Sequence, residues 1–231
     1  CPNPAPILNL PDEKVNFLPT QKTEIFNKRK ENFSGNLRLS YDDPILFFRG
    51  WKTHLFDEWG RSYLDAYNNV PHVGHSHPRI RKVASEQLKK LNSNTRYLHP
   101  NQSDLAESIL SKLPENFKVC FFVNSGSEAN ELAIRLAREY TKARGMITTD
   151  HGYFGNTTGA IDLSAYKFNK PGGVGQPDWL ELVEIPDDYR GTYKRGDPRC
   201  GEKFASQIGQ AVENLKSKNQ KLCAFIAETF P

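Results

Sequence analysis

Hydrophobic and polar positions alternate in two different rhythms along this chain. Up to about residue 36 there is little rhythm at all. The text is rich in Pro, Asn and Lys and reads as an arm or irregular lead-in. From 45 to 67, "ILFFRGWKTHLFDEWGRSYLDAY" reads as short strands around a turn at Glu58-Trp59-Gly60-Arg61. A Pro/His/Gly-rich loop follows. Pro78 then suits the first turn of a helix, with Ile80, Val83, Ala84, Leu88 and Leu91 at helical spacing. A second helix is expected to start with Ser103 as N-cap and to turn Leu105, Ile109 and Leu110 inward.

Beyond residue 118 the rhythm changes to strand, helix, strand. "VCFFV" at 119–123 predicts a buried strand, followed by a helix over about 127–143. Its apolar stripe is Ala129, Leu132, Ala133, Leu136, Ala137 and Tyr140, with Glu131 and Arg135 able to pair on the wet side. "MITT" at 146–149, "LELVEI" at 180–185 and "KLCAFIAE" at 221–228 predict further strands. Phe204, Ile208, Ala211, Val212 and Leu215 mark another helical face. Strands that are apolar throughout, separated by helices, predict an α/β fold with a mostly parallel sheet covered on both faces. A small N-terminal α+β segment precedes it. The expected division is 1–70, arm and small-domain strands, and 71–231, the first part of a large domain.

Composition narrows the picture. The 231 residues are 37% hydrophobic and 25% charged, with a net charge of +4 from interspersed charges. No basic block exceeds "NKRK" at 27–30, so nucleic acid is not an expected partner. Cys1, Cys120, Cys200 and Cys223 form no C-x-x-C pair, and a reducing, cytoplasmic setting is expected. The longest apolar runs are far too short for a membrane span, and a signal peptide is not expected. The chain opens without Met and stops just after what reads as a core strand, so it is expected to be part of a longer polypeptide.

The joint Asn124-Ser125-Gly126-Ser127 carries the first candidate chemistry. Ser125-x-x-Glu128 fits a capping box, with Ser127 as an alternative cap. A helix start also presents unpaired N–H groups and partial positive charge. Gly126 permits close approach, and the two serines add hydroxyls, so the same turn suits a phosphate. A plain cap and an anion cup both remain open. G-x-x-x-x-G-K-[ST] and G-x-G-x-x-G are absent, so the phosphate need not belong to a nucleotide. In "DHGYFGNTTG" at 150–159, Tyr153 and Phe154 read either as a core plug or as a ring stacked on a flat ligand. Glu228 closes an apolar strand, as a solvated end or as a polar anchor. His72, His75 and His77 sit in a Pro/Gly loop without a nearby Cys or carboxylate pair, and no metal is expected there.

"FFVNSGSEANELAIRLAREYT", "DHGYFGNT" and "AFIAE", in that order, resemble the class III aminotransferases, pyridoxal-phosphate enzymes of fold type I. "FDEWGRSYLDAYNNVPHVGHSHPRI" resembles the same family's N-terminal segment. The resemblance implies that Ser125, Gly126 and Ser127 hold the cofactor phosphate. It implies that Tyr153 stacks on the pyridine ring and that Glu228 lies close to it. "NNVPHVGHSHP", "LNSNTRYLHPN", "SAYKFNK" and "PDDYRGTYKRGD" resemble the amino-alcohol phosphate phospho-lyase branch, whose substrates include ethanolamine phosphate and hydroxylysine phosphate. By the same resemblance Asn68, Asn69 and His72 become candidate substrate contacts. Arg190 and Lys194 read first as a solvated loop and second as contacts to a substrate phosphate. The family's Schiff-base lysine follows the "AFIAE" strand, so no lysine of these residues is assigned that role, and the chain alone is expected to be inactive. The resemblance implies a small primary-amine substrate, transamination or phosphate elimination, and a homodimer with a shared active site. The alternative is a catalytically incomplete piece of the fold that serves as an interaction or structural module.

Overall fold

A computed structural model describes residues 21–39, 41–67 and 72–228. Asn68 and Asn69 lie outside these residues. The chain packs as two compact units, Cys1–Leu98 and His99–Pro231.

In the first unit, α1 (Gln21–Asn32) occupies part of the stretch expected to be an irregular lead-in. Its apolar content is low, which is why the pattern did not reveal it. Three strands form an antiparallel meander in the order β1 (Phe47–Trp51), β2 (His54–Asp57), β3 (Ser62–Leu64). The β2–β3 turn closes on the buried carboxylate of Asp57. That carboxylate accepts from the amides of Trp59 (2.9 Å) and Arg61 (2.8 Å), from Arg61 Nε (2.6 Å) and from the Tyr63 hydroxyl (3.0 Å). Burial works against the charge, but the Arg61 guanidinium and these other donors together hold the carboxyl below the usual range. α2 (Pro78–Leu88) starts with Pro at its first turn, where the missing N–H costs nothing.

In the second unit, α3 (Pro100–Leu110) begins three residues before the expected Ser103 cap. His99 is the N-cap, its Nδ1 accepting from the Asn101 amide at 3.2 Å. The parallel sheet has the order β5-β4-β6: β4 (Gly145–Thr149) is central, between β5 (Leu180–Val183) and β6 (Leu222–Ile226). Every β4 residue is buried. Gly145 is required at its start, because a Cβ there would stand 2.8 Å from the Lys221 carbonyl oxygen. α7 (Cys200–Ser217) covers one face, burying Ala211 and Leu215 against Ile147 and Val183, while Phe204 is buried with its ring edge to face with Tyr193. The other face meets α4 (Gly126–Thr141), α5 (Thr158–Asp162) and α6 (Ala165–Phe168) through Ile134, Met146, Phe154, Ala160, Leu163 and Phe168. Trp179 is buried in that same cluster, with the Arg138 and Arg144 guanidinium carbons 4.8 and 5.8 Å from its ring.

Three sequence expectations are corrected here. Leu105 and Ile109, expected to turn inward from α3, are exposed, and α3 buries none of its residues. Residues 119–123 form no strand, and Val119, Phe121, Phe122 and Val123 are exposed. Among the described residues nothing pairs with their backbone, so an apolar run alone did not make a strand. In α4 the expected stripe is not the packed face. Leu136 is 47% and Tyr140 90% exposed, whereas Ile134 is buried. The helix is turned so that Asn130, Glu131 and Ile134 face the neighbouring loop and sheet. Glu131 therefore does not serve a wet-side pair; it accepts from the Thr157 hydroxyl at 2.6 Å.

Candidate functional site

In the second unit the start of α4 meets the loop that follows β4, and that loop in turn meets Glu228 just after β6. Ser125 is the N-cap of α4, and its hydroxyl accepts from the Glu128 amide at 3.1 Å. Glu128 folds back to accept from the amide (2.6 Å) and the side-chain nitrogen (3.2 Å) of Asn124. This is the expected capping arrangement displaced by one residue at its return contact. It keeps the Glu128 carboxylate occupied. Among the described residues no acceptor reaches the amides of Gly126 and Ser127, and both belong to the first turn of a 16-residue helix. Two free amides at the positive end of such a helix suit an anion.

The loop 150–157 locks onto this cup. The Ser127 hydroxyl accepts from the Asn156 amide at 3.1 Å, and Asn130 donates to the Phe154 carbonyl at 2.8 Å. Gly155 has φ +132, and a Cβ there would stand 2.4 Å from the Ser127 hydroxyl oxygen, so only glycine fits. The two adjacent aromatics differ in burial. Phe154 is buried as a core plug, its amide held by the Ser164 hydroxyl at 2.8 Å. Tyr153 is 38% exposed, its ring edge to face with that of Tyr166. The Tyr153 amide in turn donates to the Glu228 carboxylate at 3.3 Å, across 75 residues of chain. Ser125, Gly126, Ser127, Tyr153 and Glu228 thus fall in one connected region.

The other candidates lie elsewhere. Arg190 is exposed in the β5–α7 connection, where its amide donates to the Asp187 carboxylate at 2.9 Å. Asp187 and Asp188 cap this loop, and Arg195 pairs bidentately with Asp188 at 2.9 and 3.0 Å. Hydrogen bonds from the Arg190 and Tyr189 amides hold the Asp187 carboxyl below its ordinary range. Among the described residues no contact joins Arg190 to Tyr153 or Glu228. His72 belongs to the first unit and is exposed beside a shallow cleft lined also by His77, Ile80 and Arg81. Its neighbour His75 is committed to Asp65 at 2.7 Å and packs against Gly50. Asn69 is outside the described residues. Sequence reasoning missed Asn156 and Thr157, whose role is to tie the aromatic loop to α4. Their only signal was polarity next to Gly155.

A family pattern described as aminotransferase class III matches residues 41–231. An alanine–glyoxylate aminotransferase 2-like protein of Drosophila melanogaster is 40% identical over 224 residues, covering 94% of this chain and 45% of the relative. An ethanolamine-phosphate phospho-lyase homolog of Caenorhabditis elegans is 36% identical, covering 90% and 46%. Among solved structures, a phospholyase from Arthrobacter in complex with phosphoethanolamine superposes with a TM-score of 0.78 at 32% identity, over 88% of this chain and 47% of that one. A taurine:2-oxoglutarate aminotransferase from Bifidobacterium kashiwanohense, at 20% identity and TM-score 0.74, shares the fold. The chain spans about half the length of the curated relatives it matches. Matched over most of its length in sequence and in fold, this chain belongs to the class III aminotransferase family, with the architecture of fold type I.

Proposed function

We propose that the full-length protein containing this chain is a pyridoxal-phosphate enzyme acting on a small primary amine. It either transfers the amino group or eliminates phosphate from an amino-alcohol phosphate such as ethanolamine phosphate. The observation that carries this reading is the linkage of the free-amide cup at Gly126 and Ser127, through Ser127–Asn156, to the exposed Tyr153 ring and Glu228.

These residues fit the cofactor. The cup offers N–H donors for a dianion without a competing protein acceptor, Tyr153 offers a ring face, and Glu228 offers a carboxylate held by a backbone amide. Bound there, pyridoxal phosphate would supply an electron sink for the carbon next to the substrate amine. The chain's own contribution is positional. Ser125, Gly126 and Ser127 would fix the phosphate end, Tyr153 would fix the ring plane, and Glu228 would hold the loop that presents that ring. No lysine of this chain is given the covalent role. Residues 71–231 would form the first part of the cofactor-binding domain, in a homodimer with a shared active site. The cytoplasm is the proposed location, on the ground that Cys120, Cys200 and Cys223 are free thiols. No described helix is long and apolar enough to cross a membrane.

The test is to supply full-length protein with pyridoxal phosphate and then with ethanolamine phosphate, with and without a keto acid. Cofactor uptake with release of inorganic phosphate supports elimination, whereas consumption of the keto acid with no released phosphate supports transfer. No cofactor uptake sinks the reading.

A further inference from the structure

Beside Tyr153 lies a cationic and aromatic cluster that the site described above leaves unused. The Tyr153 and Tyr166 rings meet edge to face, centroids 6.3 Å apart. The Lys167 ammonium stands 5.4 Å from each centroid, and the Lys170 ammonium 3.5 Å from that of Tyr166. The cluster is anchored. α6 buries Ala165 and Phe168 in the core, and the Tyr166 amide donates to the Gly152 carbonyl at 3.3 Å, on the same loop as Tyr153. Among the described residues no carboxylate pairs with Lys167 or Lys170. Ring faces attract an ammonium without using up its N–H donors, so both lysines keep their capacity to bind an oxyanion.

The two lysines differ in their surroundings. Lys170 is engaged with Tyr166, and its hydrogen bond and charge hold that phenol below its ordinary range. The Lys167 ammonium is equally far from the two half-exposed rings, one of which the proposed function sets against the cofactor. The α4 cup is a separate set of donors, so a second phosphate in the same substrate complex needs its own. A doubly charged group meets its strongest donors in charge-assisted hydrogen bonds, and Lys167 offers these next to Tyr153.

We propose that Lys167, backed by Lys170 and Tyr166, receives the phosphate of a phosphorylated small amine and so selects such substrates over amines that lack the phosphate. This rests on the reading that Tyr153 lies against pyridoxal phosphate.

The experiment compares full-length wild type, Lys167→Met, Lys167→Arg and Lys170→Met. Cofactor uptake is followed by absorbance, and the apparent affinities for ethanolamine phosphate and for ethanolamine are measured separately. Lys167→Met should keep the cofactor and lose affinity for ethanolamine phosphate by about 10- to 100-fold, the effect of losing one hydrogen bond to a charged group. Affinity for ethanolamine should not change, and Lys167→Arg should recover most of the loss. Lys170→Met should give a smaller loss of the same selectivity. Lys167→Met that holds cofactor and binds ethanolamine phosphate like wild type overturns the proposal. So does a wild type that binds the two amines equally well. A wild type that takes up no cofactor overturns the underlying reading and this proposal with it.

Discussion

The hydroxyl of Ser127 accepts a hydrogen bond from the amide of Asn156 at 3.1 Å. This contact joins the first turn of α4 to the loop that carries Tyr153. The two bonded residues are 29 positions apart in the chain.

Gly155 controls that joint. Its backbone conformation is one that other residues rarely adopt, and any side chain would collide with Ser127. Gly155→Ala should cost at least about 1–3 kcal/mol of stability, from the backbone conformation alone. Urea denaturation measures this, and the variant should also retain less cofactor on gel filtration. Wild-type stability in this variant would mean that the loop does not close on α4 as described.

Ser125→Ala removes the cap of α4 and leaves the Glu128 amide without its acceptor. The expected loss is about 1 kcal/mol in chemical denaturation. Cofactor affinity should fall as well, because the cup rests on the same turn. Ser125→Asp should restore stability but weaken cofactor binding, since it places a negative charge where the proposed function would hold a dianion.

Acid should loosen the β2–β3 turn through Asp57. Its carboxyl is held below the ordinary range, so the folded state releases this proton more readily than the unfolded chain. The stabilisation is therefore present above the unfolded value, about pH 3.9, and is lost as pH falls through the lower folded value. Asp57→Asn should remove this part of the acid dependence and cost about 1–3 kcal/mol at neutral pH, since Arg61 and Tyr63 lose a charged acceptor. A pH series of denaturation curves for the two proteins gives the comparison.

Tyr153→Ala should raise the dissociation constant for pyridoxal phosphate by about tenfold, in line with aromatic stacking together with lost contact area. Tyr153→Phe should be close to wild type. If the phenylalanine variant is as impaired as the alanine one, the hydroxyl rather than the ring makes the contact.

How much of this was legible in the sequence depended on whether a signal was local. The α4 cap, the β2–β3 turn and the α7 face involve residues within a few positions of each other, and the pattern found all three. The five proposed cofactor residues also came from the sequence, through resemblance. Val119–Val123 failed because a strand is defined by its partners, and apolar character cannot supply them. The α4 stripe failed for a related reason. The helix carries more than one face able to pack, and Thr157, Phe154 and Ile134 decide which one meets the sheet. Lys167 went unnoticed as chemistry because a lysine in a short polar segment looks like any solvated residue until two rings are seen around it.

The uncovered Val119–Val123 tract also bears on how the polypeptide behaves at high concentration. Five consecutive uncharged residues with strong β preference, and with neither proline nor glycine, can zip edge-on to a copy of themselves. Replacing Phe121 with lysine should therefore raise the soluble yield of this 231-residue chain and leave the parallel sheet untouched.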